Sequence, residues 1–226
     1  MTVEIRRGSS RFLDRMVGRA TWHAFSFGEH YDPDRLRFGP MVCHDEHLLG
    51  DGHGFATHRH EELEIVSWVV QGALRHEDAL GSAATLTPGM VGHLTAGSGT
   101  SHSELAAAPQ TRFVQVWLVP DEPGRTPAYS VADVDLEPGR LCEVLRPTAS
   151  TVFSVARLEA GQSVTIPAAP LRHVYVASGA LLRSSLAEPL GQGDAFLIDS
   201  RDGGEETAEV EVAAAVPTEL LVWHLT

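Results

Sequence analysis

The chain has 226 residues, which is enough for one large domain or two small ones with buried cores. Its formal net charge of −13 opposes direct binding to the phosphate backbone of nucleic acids. The absence of lysine excludes Schiff-base lysine chemistry and a P-loop lysine. No apolar run approaches the roughly 20 residues that span a bilayer, and no hydrophobic stretch follows the amino-terminal arginines as it would in a secretory signal. We therefore expect a cytoplasmic protein without membrane contacts, in which the two distant cysteines, Cys43 and Cys142, are free thiols.

Short apolar or alternating runs, separated by glycine and proline, dominate the chain. These runs predict strands at Leu63–Val70, Val91–Ala96, Phe113–Val119, Val152–Leu158, His173–Ala177, Ala195–Asp199 and Leu220–Leu225. The strongest helix candidate, around 131–136, is short. The succession of short strands and turns predicts an all-β sandwich or barrel.

The turn-rich segment VPDEPGR marks the expected boundary between two domains. We expect an amino-terminal domain over residues 1–125, a linker over 126–148 and a carboxy-terminal domain over 149–226. The two halves share a glycine, a strand, a turn of the form Q-G-A-L or S-G-A-L, and a second glycine. The turn lies at Gln71–Leu74 in the first half and at Ser178–Leu181 in the second. This similarity indicates one duplicated β-module.

The segment THRHEELE carries two histidines, His58 and His60, that are two residues apart. Side chains at this spacing on an extended strand point to the same face, so both imidazoles would share one side. The same parity continues through Val66, Trp68 and Val70, which predicts that this side faces the interior of a barrel. Two inward-facing imidazoles are costly unless they bind something.

A second pair with the same spacing, His102 and Glu104, follows a glycine-rich turn 42 residues after His60. Three imidazoles and a carboxylate that converge from two strands form part of an octahedral cage, with positions open for water, oxygen or substrate. A lone H-x-H pair is often a surface feature, and the second pair is what favours a metal site. Most other histidines have no such partner and are expected at the surface or in structural roles: His23, His30, His44, His47, His53, His76, His173 and His224.

The spacing Gly52-x5-His58-x-His60-x3-Glu64 resembles the first motif of the cupin proteins. More narrowly, GFATHRHEELEIVSWVVQGALRHEDALG followed by LTAGSGTSHSE resembles the pirin family, as do FSFGEHYDPDRLRFG upstream and RFVQVWLVP downstream. These segments cover most of residues 21–120. The second half resembles the family's degenerate second barrel only in outline, since proline and alanine stand where paired histidines would. The chain length is similar to the short bacterial type, which includes quercetin 2,3-dioxygenases.

The resemblance implies a bicupin, which consists of two tandem jelly-roll β-barrels, with a metal site only in the amino-terminal barrel. It implies His58, His60, His102 and Glu104 as the ligands of one divalent transition metal per chain. Iron is favoured, and manganese, nickel, cobalt, copper or zinc would also suit these ligands. Supporting contacts to the ligands, or positions lining the cavity, are expected of Glu64, His93 and Trp68.

Two functions follow from the resemblance. In the first, the protein is an oxygenase that uses O2 to open the ring of a flavonol such as quercetin between C2 and C3, with loss of carbon monoxide. Glu104 would then take the phenolic proton as general base while it also binds the metal. In the second, the protein is a non-enzymatic regulator, in which the redox state of the iron alters a surface that binds a metabolic enzyme or a transcription factor. A metal with a purely structural role is a third alternative. Structural sites are usually closed, four-coordinate and often rich in thiolates, and no thiolate is among these ligands.

Overall fold

The computed structural model of the protein describes residues 1–182, 188–201 and 208–226. Within these residues the secondary structure is β-strand, apart from one 3-10 turn at Gly8–Ser10. No helix in the described part of the chain is long and apolar enough to span a membrane. The chain folds into two compact units, Phe12–Val134 and Met1–Arg11 with Asp135–Thr226. We call them the amino-terminal barrel and the carboxy-terminal barrel.

The first strand, β1 (Thr2–Arg6), belongs to the carboxy-terminal barrel, and the next eleven form the amino-terminal barrel. These are β2 (Phe12–Met16), β3 (Arg19–His23), β4 (Met41–Leu49), β5 (Gly54–His60), β6 (Glu64–Gln71), β7 (Leu74–Asp78), β8 (Ala83–Leu86), β9 (Met90–Thr95), β10 (Thr100–Ala106), β11 (Thr111–Leu118) and β12 (Ala128–Asp133). A seven-stranded sheet has the order β12-β9-β6-β11-β4-β3-β2, and a four-stranded sheet has the order β5-β10-β7-β8. The chain passes from the smaller sheet to the larger one between β5 and β6.

The interior of the amino-terminal barrel combines an apolar cluster with buried polar residues. In β10 the burial alternates strictly, so that Thr100, His102, Glu104 and Ala106 are buried while the residues between them are half-buried. Ala106 packs in a cluster of buried apolar side chains formed with Leu49, Val69, Leu74, Leu86 and Phe113. Since inward positions on one strand are neighbours, His102 and Glu104 continue from this apolar cluster along the inner face.

The carboxy-terminal barrel contains the remaining strands. They are β13 (Leu141–Thr148), β14 (Thr151–Leu158), β15 (Ser163–Ile166), β16 (Leu171–Ser178), β17 (Ala195–Asp199), β18 (Val210–Ala213) and β19 (Thr218–Leu225). A six-stranded sheet has the order β1-β17-β16-β19-β14-β13, and β15 pairs with β18 in a second sheet. Buried apolar side chains form its core, among them Phe196, Ile198, Val174, Val222 and Leu220.

The same turn occurs in both barrels and supports the predicted duplication. Gly72 and Gly179 have φ values of +80° and +81°. After each glycine, an alanine donates its N–H to a threonine hydroxyl and accepts a hydrogen bond from it, and the threonine lies 38 residues further along the chain. The threonines are Thr111 and Thr218. A Cβ on either glycine would lie within 3 Å of backbone atoms at this contact, which explains why glycine is needed in both.

The structure divides the chain differently from the boundaries expected from the sequence. The expected linker, 126–148, contains two strands: β12 pairs with β9 in one barrel, and β13 pairs with β14 in the other. The residues at 131–136, considered as a helix, begin in strand β12. The segment VPDEPGR is a loop within the amino-terminal barrel, and β1 joins the opposite barrel through a long-range pairing that no local pattern reveals.

Candidate metal centre

Strands β5 and β10 bring the two predicted ligand pairs together. In their antiparallel pairing His102 lies opposite His58, and Thr100 lies opposite His60. A bulge then shifts the register, so that Glu104 lies opposite Phe55. Bulges of this kind re-aim side chains, and here Phe55 comes within 6.2 Å of the His58 ring, centroid to centroid.

Three imidazoles converge on one point. The ring centroids are 4.7 Å apart for His58 and His60, 4.6 Å for His58 and His102, and 5.1 Å for His60 and His102. Among the described residues, the buried Nε2 atoms of His60 and His102 have no hydrogen-bond partner. The Nδ1 atom of His58 lies 2.8 Å from the carbonyl oxygen of Ala56, to which it donates, so its Nε2 lone pair is left for another ligand.

The Glu104 carboxylate lies within 4.8 Å of a ring nitrogen of His102, and neutral donors hold it. Its Oε1 accepts from the Ser67 hydroxyl at 3.1 Å, and its Oε2 accepts from the Gln115 amide at 2.7 Å. The indole N–H of Trp117 in turn donates to Gln115 Oε1 at 2.9 Å, which fixes the orientation of the amide. The Glu104 side chain is therefore held in place at the level of the histidines.

A fourth histidine, His76, lies behind His102, with their Nδ1 atoms 3.4 Å apart. The other ring nitrogen of His76 lies 3.2 Å from Asp78 Oδ2. Burial alone would raise the pKa of Asp78, but hydrogen bonds from the Ser82 backbone, His76 and the Leu80 backbone outweigh it and lower that pKa. The ionised Asp78 accepts a hydrogen bond from His76 Nε2–H, so the Nδ1 atom of His76 carries a lone pair. That lone pair accepts from His102 Nδ1–H, which leaves the Nε2 lone pair of His102 free.

His60 and His102 are neutral at pH 7, as metal ligands must be. Burial, together with the imidazoles of His102 and His58, lowers the pKa of His60 to about 4. Burial, followed by the imidazoles of His58 and His76, lowers the pKa of His102 to about 3. These two rings therefore offer lone pairs to a cation.

The donor set fits a divalent transition metal. His58, His60 and His102 offer one nitrogen each within 4.8 Å of one another, and His76, His102 and Glu104 form an overlapping group on the same criterion. Nitrogen and carboxylate donors of this kind suit first-row transition metals, and fewer than six protein donors leave positions for further ligands. In the described ranges both groups lie in the amino-terminal barrel, and the absence of a metal from the other barrel stays a prediction.

Glu64, His93 and Trp68 do not join the cluster. Glu64 is fully buried and accepts hydrogen bonds from His93 and Thr95, each at 2.7 Å, while Arg125 lies 3.1 Å from its other oxygen. Trp68 pairs with Val91 in β9, on the same face as Glu64. Ser67 donates to Glu104, so the odd-numbered residues of β6 face the interior. Glu64 and Trp68 are even-numbered and lie on the opposite face, where His93 contacts Glu64.

The predicted parity failed at the turn between β5 and β6. Glu62 in this turn has φ +52°, a left-handed conformation that is uncommon outside glycine, and the chain changes sheet there. Parity counted from His60 therefore does not extend to Val66, Trp68 and Val70.

Sequence reasoning also missed His76, Ser67 and Gln115. The H-x-D spacing of His76 and Asp78 repeats the two-residue spacing of the ligand pairs and could have indicated His76. A serine and a glutamine inside apolar strands carry no such pattern.

The chain is similar in sequence to known proteins. The family model described as Pirin matches residues 7–118. A Mycobacterium tuberculosis protein named "Putative quercetin 2,3-dioxygenase" is 35% identical over 243 aligned residues, which cover 99% of this chain and 95% of that protein. The Escherichia coli quercetin 2,3-dioxygenase is 33% identical over 122 residues, which cover 53% of each chain.

The fold is also that of solved bicupin structures. The crystal structure of the bacterial pirin YhhW from Escherichia coli, in complex with nickel(II), superposes with a TM-score of 0.87 at 23% identity and covers 99% of both chains. The predicted all-β bicupin architecture is thereby confirmed. Taken with the full-length similarity to the mycobacterial relative, these matches show that the chain belongs to the pirin family.

Proposed function

We propose that the protein is a metal-dependent dioxygenase that cleaves flavonols such as quercetin. The metal would be held by His58, His60, His102 and Glu104, with iron as the favoured ion. The observation that carries the proposal is the pair of buried, unpartnered Nε2 atoms of His60 and His102 beside the ligand-ready Nε2 of His58. Buried nitrogens without partners are costly unless they bind something. The names of the relatives support the reaction class.

A bound divalent metal would act as a Lewis acid and as a template that orients the substrate. Glu104 would accept the proton of the flavonol hydroxyl, so that the O–H bond breaks and the proton moves to a carboxylate oxygen. Ser67 and Gln115 hold that carboxylate in position through their hydrogen bonds at 3.1 and 2.7 Å. Positioned proton transfer of this kind typically contributes about 10²- to 10⁴-fold to a rate.

The test combines elemental analysis of the purified protein with oxygen uptake on a panel of flavonols. We expect about one equivalent of a transition metal per chain and oxygen consumption with quercetin. The variant His60→Ala should lose metal and activity together, whereas the exposed His53→Ala should keep both. Metal-loaded protein that consumes no oxygen with any flavonol would refute the oxygenase and leave the regulatory alternative, in which a protein partner is recovered in one redox state only.

A further inference from the structure

A cavity of about 240 Å³ opens beside His58 inside the amino-terminal barrel. Its aromatic walls are Phe27, Phe55 and Trp117. Phe27 meets Trp117 edge-on with ring centroids 5.5 Å apart. The guanidinium of Arg19, which also lines the cavity, lies 4.3 Å from the Phe55 ring centroid and donates to the Gly54 carbonyl. The cavity therefore presents flat apolar faces to a ring that enters it.

The volume of the cavity limits which part of a flavonol can fit inside it. An apolar cavity of about 150 Å³ is enough to bind benzene, whereas sites for whole drug-sized ligands measure about 300–1,000 Å³. The observed 240 Å³ suits one ring with its substituents and not a fused bicycle with a third ring. A flavonol carries one such separate ring, the pendant phenyl group, and its fused ring system bears the hydroxyl and keto oxygens that bind metals.

The polar residues of the cavity wall include a buried carboxylate. Asp45 lines the cavity, and its side chain is 7% exposed. His23 Nδ1 lies 2.7 Å from Asp45 Oδ2, and His23 Nε2 lies 3.2 Å from Asp14 at the exposed edge. An ionised carboxylate only accepts hydrogen bonds, so it favours a ligand that donates, such as a phenol.

We propose that this cavity binds the pendant ring of the flavonol, and that Asp45 accepts a hydrogen bond from a hydroxyl on that ring. The inference rests on the proposed function, because it assigns a binding place to the ring of the substrate that points away from the metal. His23 is the positioning residue, because its bond to Asp45 orients the carboxylate. Asp45 thereby determines specificity for hydroxylated over bare pendant rings.

The test compares quercetin with galangin, two flavonols that differ only in the hydroxyls on the pendant ring. Binding to the metal-loaded full chain is followed without oxygen, through quenching of tryptophan fluorescence, because Trp117 lines the cavity. A hydrogen bond to a charged group corresponds to roughly ten- to hundredfold in affinity, so quercetin should bind more tightly than galangin by that factor. Equal affinities would overturn the inference and leave the proposed function intact. Failure of both flavonols to bind would overturn both.

A variant then assigns the preference to its residue. Asp45→Asn should reduce the preference for quercetin at least fivefold and leave the affinity for galangin within about twofold, which also shows that the variant is folded. The exposed Asp51→Asn is the matched control and should keep the full preference. If Asp45→Asn binds galangin normally and still prefers quercetin as strongly as the wild type does, Asp45 is not the acceptor. The comparison in the wild-type protein decides the ring assignment even if this variant does not fold.

Discussion

The Nδ1 atoms of His76 and His102 lie 3.4 Å apart, and Asp78 lies on the far side of the His76 ring. His76 is also stacked on Tyr129, with ring centroids 3.6 Å apart and planes within 5° of parallel. The His102 ring is therefore oriented by a histidine that is itself held by a carboxylate and an aromatic ring. Contacts of this kind orient metal ligands and increase their basicity.

We expect His76→Phe to weaken metal binding by about 10- to 100-fold, since phenylalanine can stack on Tyr129 but cannot accept from His102 Nδ1–H. Competition with a chelator of known affinity measures this dissociation constant. The control His53→Phe removes an exposed imidazole outside the cluster and should leave the constant unchanged. If both variants bind metal equally well, His76 does not support His102.

Gln115→Leu should destabilise the metal-free protein by about 1–3 kcal/mol, because it leaves a buried oxygen of Glu104 without its donor. Urea unfolding of chelator-treated protein gives the free energy of unfolding. Gln71→Leu, at the exposed end of β6, should change that free energy by no more than about 0.5 kcal/mol. Similar losses in the two variants would show that the Gln115 bond contributes nothing to stability.

The metal-free protein should lose stability as the pH falls from about 6.5 toward 4. Burial lowers the pKa of His47 to about 4, and the pKa values of His60 and His102 are lowered in the same direction. Between the folded and unfolded pKa values the unfolded chain binds more protons, so acidification favours unfolding by about 1.4 kcal/mol per pH unit for each such histidine. Unfolding free energies at pH 7, 6 and 5 measure the slope.

His47→Gln should reduce this slope by about one proton. The measurements stop at pH 5, which lies above the ordinary pKa values of aspartate and glutamate side chains, and the pKa of Asp78 is lowered further. An unchanged slope in the variant would mean that the His47 imidazole titrates equally in the folded and unfolded states.

Gly179→Ala and Gly161→Ala separate a steric clash from backbone strain. Both glycines have φ +81°, so alanine costs about 1–2 kcal/mol at either position for the left-handed conformation. A Cβ at Gly179 would lie 2.2 Å from the carbonyl oxygen of Pro217, whereas a Cβ at Gly161 meets nothing within 4 Å. We therefore expect Gly179→Ala to lose about 1–3 kcal/mol more than Gly161→Ala in urea unfolding. Equal losses would contradict the close contact at the repeated turn.

Strand parity predicted that His58 shares a face with His60 and that His102 shares a face with Glu104, and the resemblance to the pirin family implied that the two pairs form one site. Each pair lies within one strand, where two-residue spacing decides the face, and the strands themselves are marked by apolar runs between turns. The fold class followed from the same runs. These features are local, and local patterns are what a single sequence records.

The contacts around the ligands depend on which strands become neighbours, and a single sequence does not specify that. Ser67 and Gln115 are unremarkable polar residues until β6 and β11 pair and place them opposite each other. Trp68 was assigned to the wrong face because a turn with a left-handed residue, Glu62, separates it from His60. Parity can be counted only along an unbroken strand.

The pairing of β1 with β17 makes the amino-terminal barrel an insertion within the other one. Thr2 hydrogen-bonds to Asp199, 197 residues away, whereas Phe12–Val134 is one continuous stretch. During synthesis, all residues of the inserted barrel leave the ribosome before β17, the strand with which β1 pairs. Pairing between residues so far apart in sequence forms slowly, and domains generally fold as units during synthesis. The half of the protein that carries the metal centre would therefore be assembled before the half that holds the first residues of the chain.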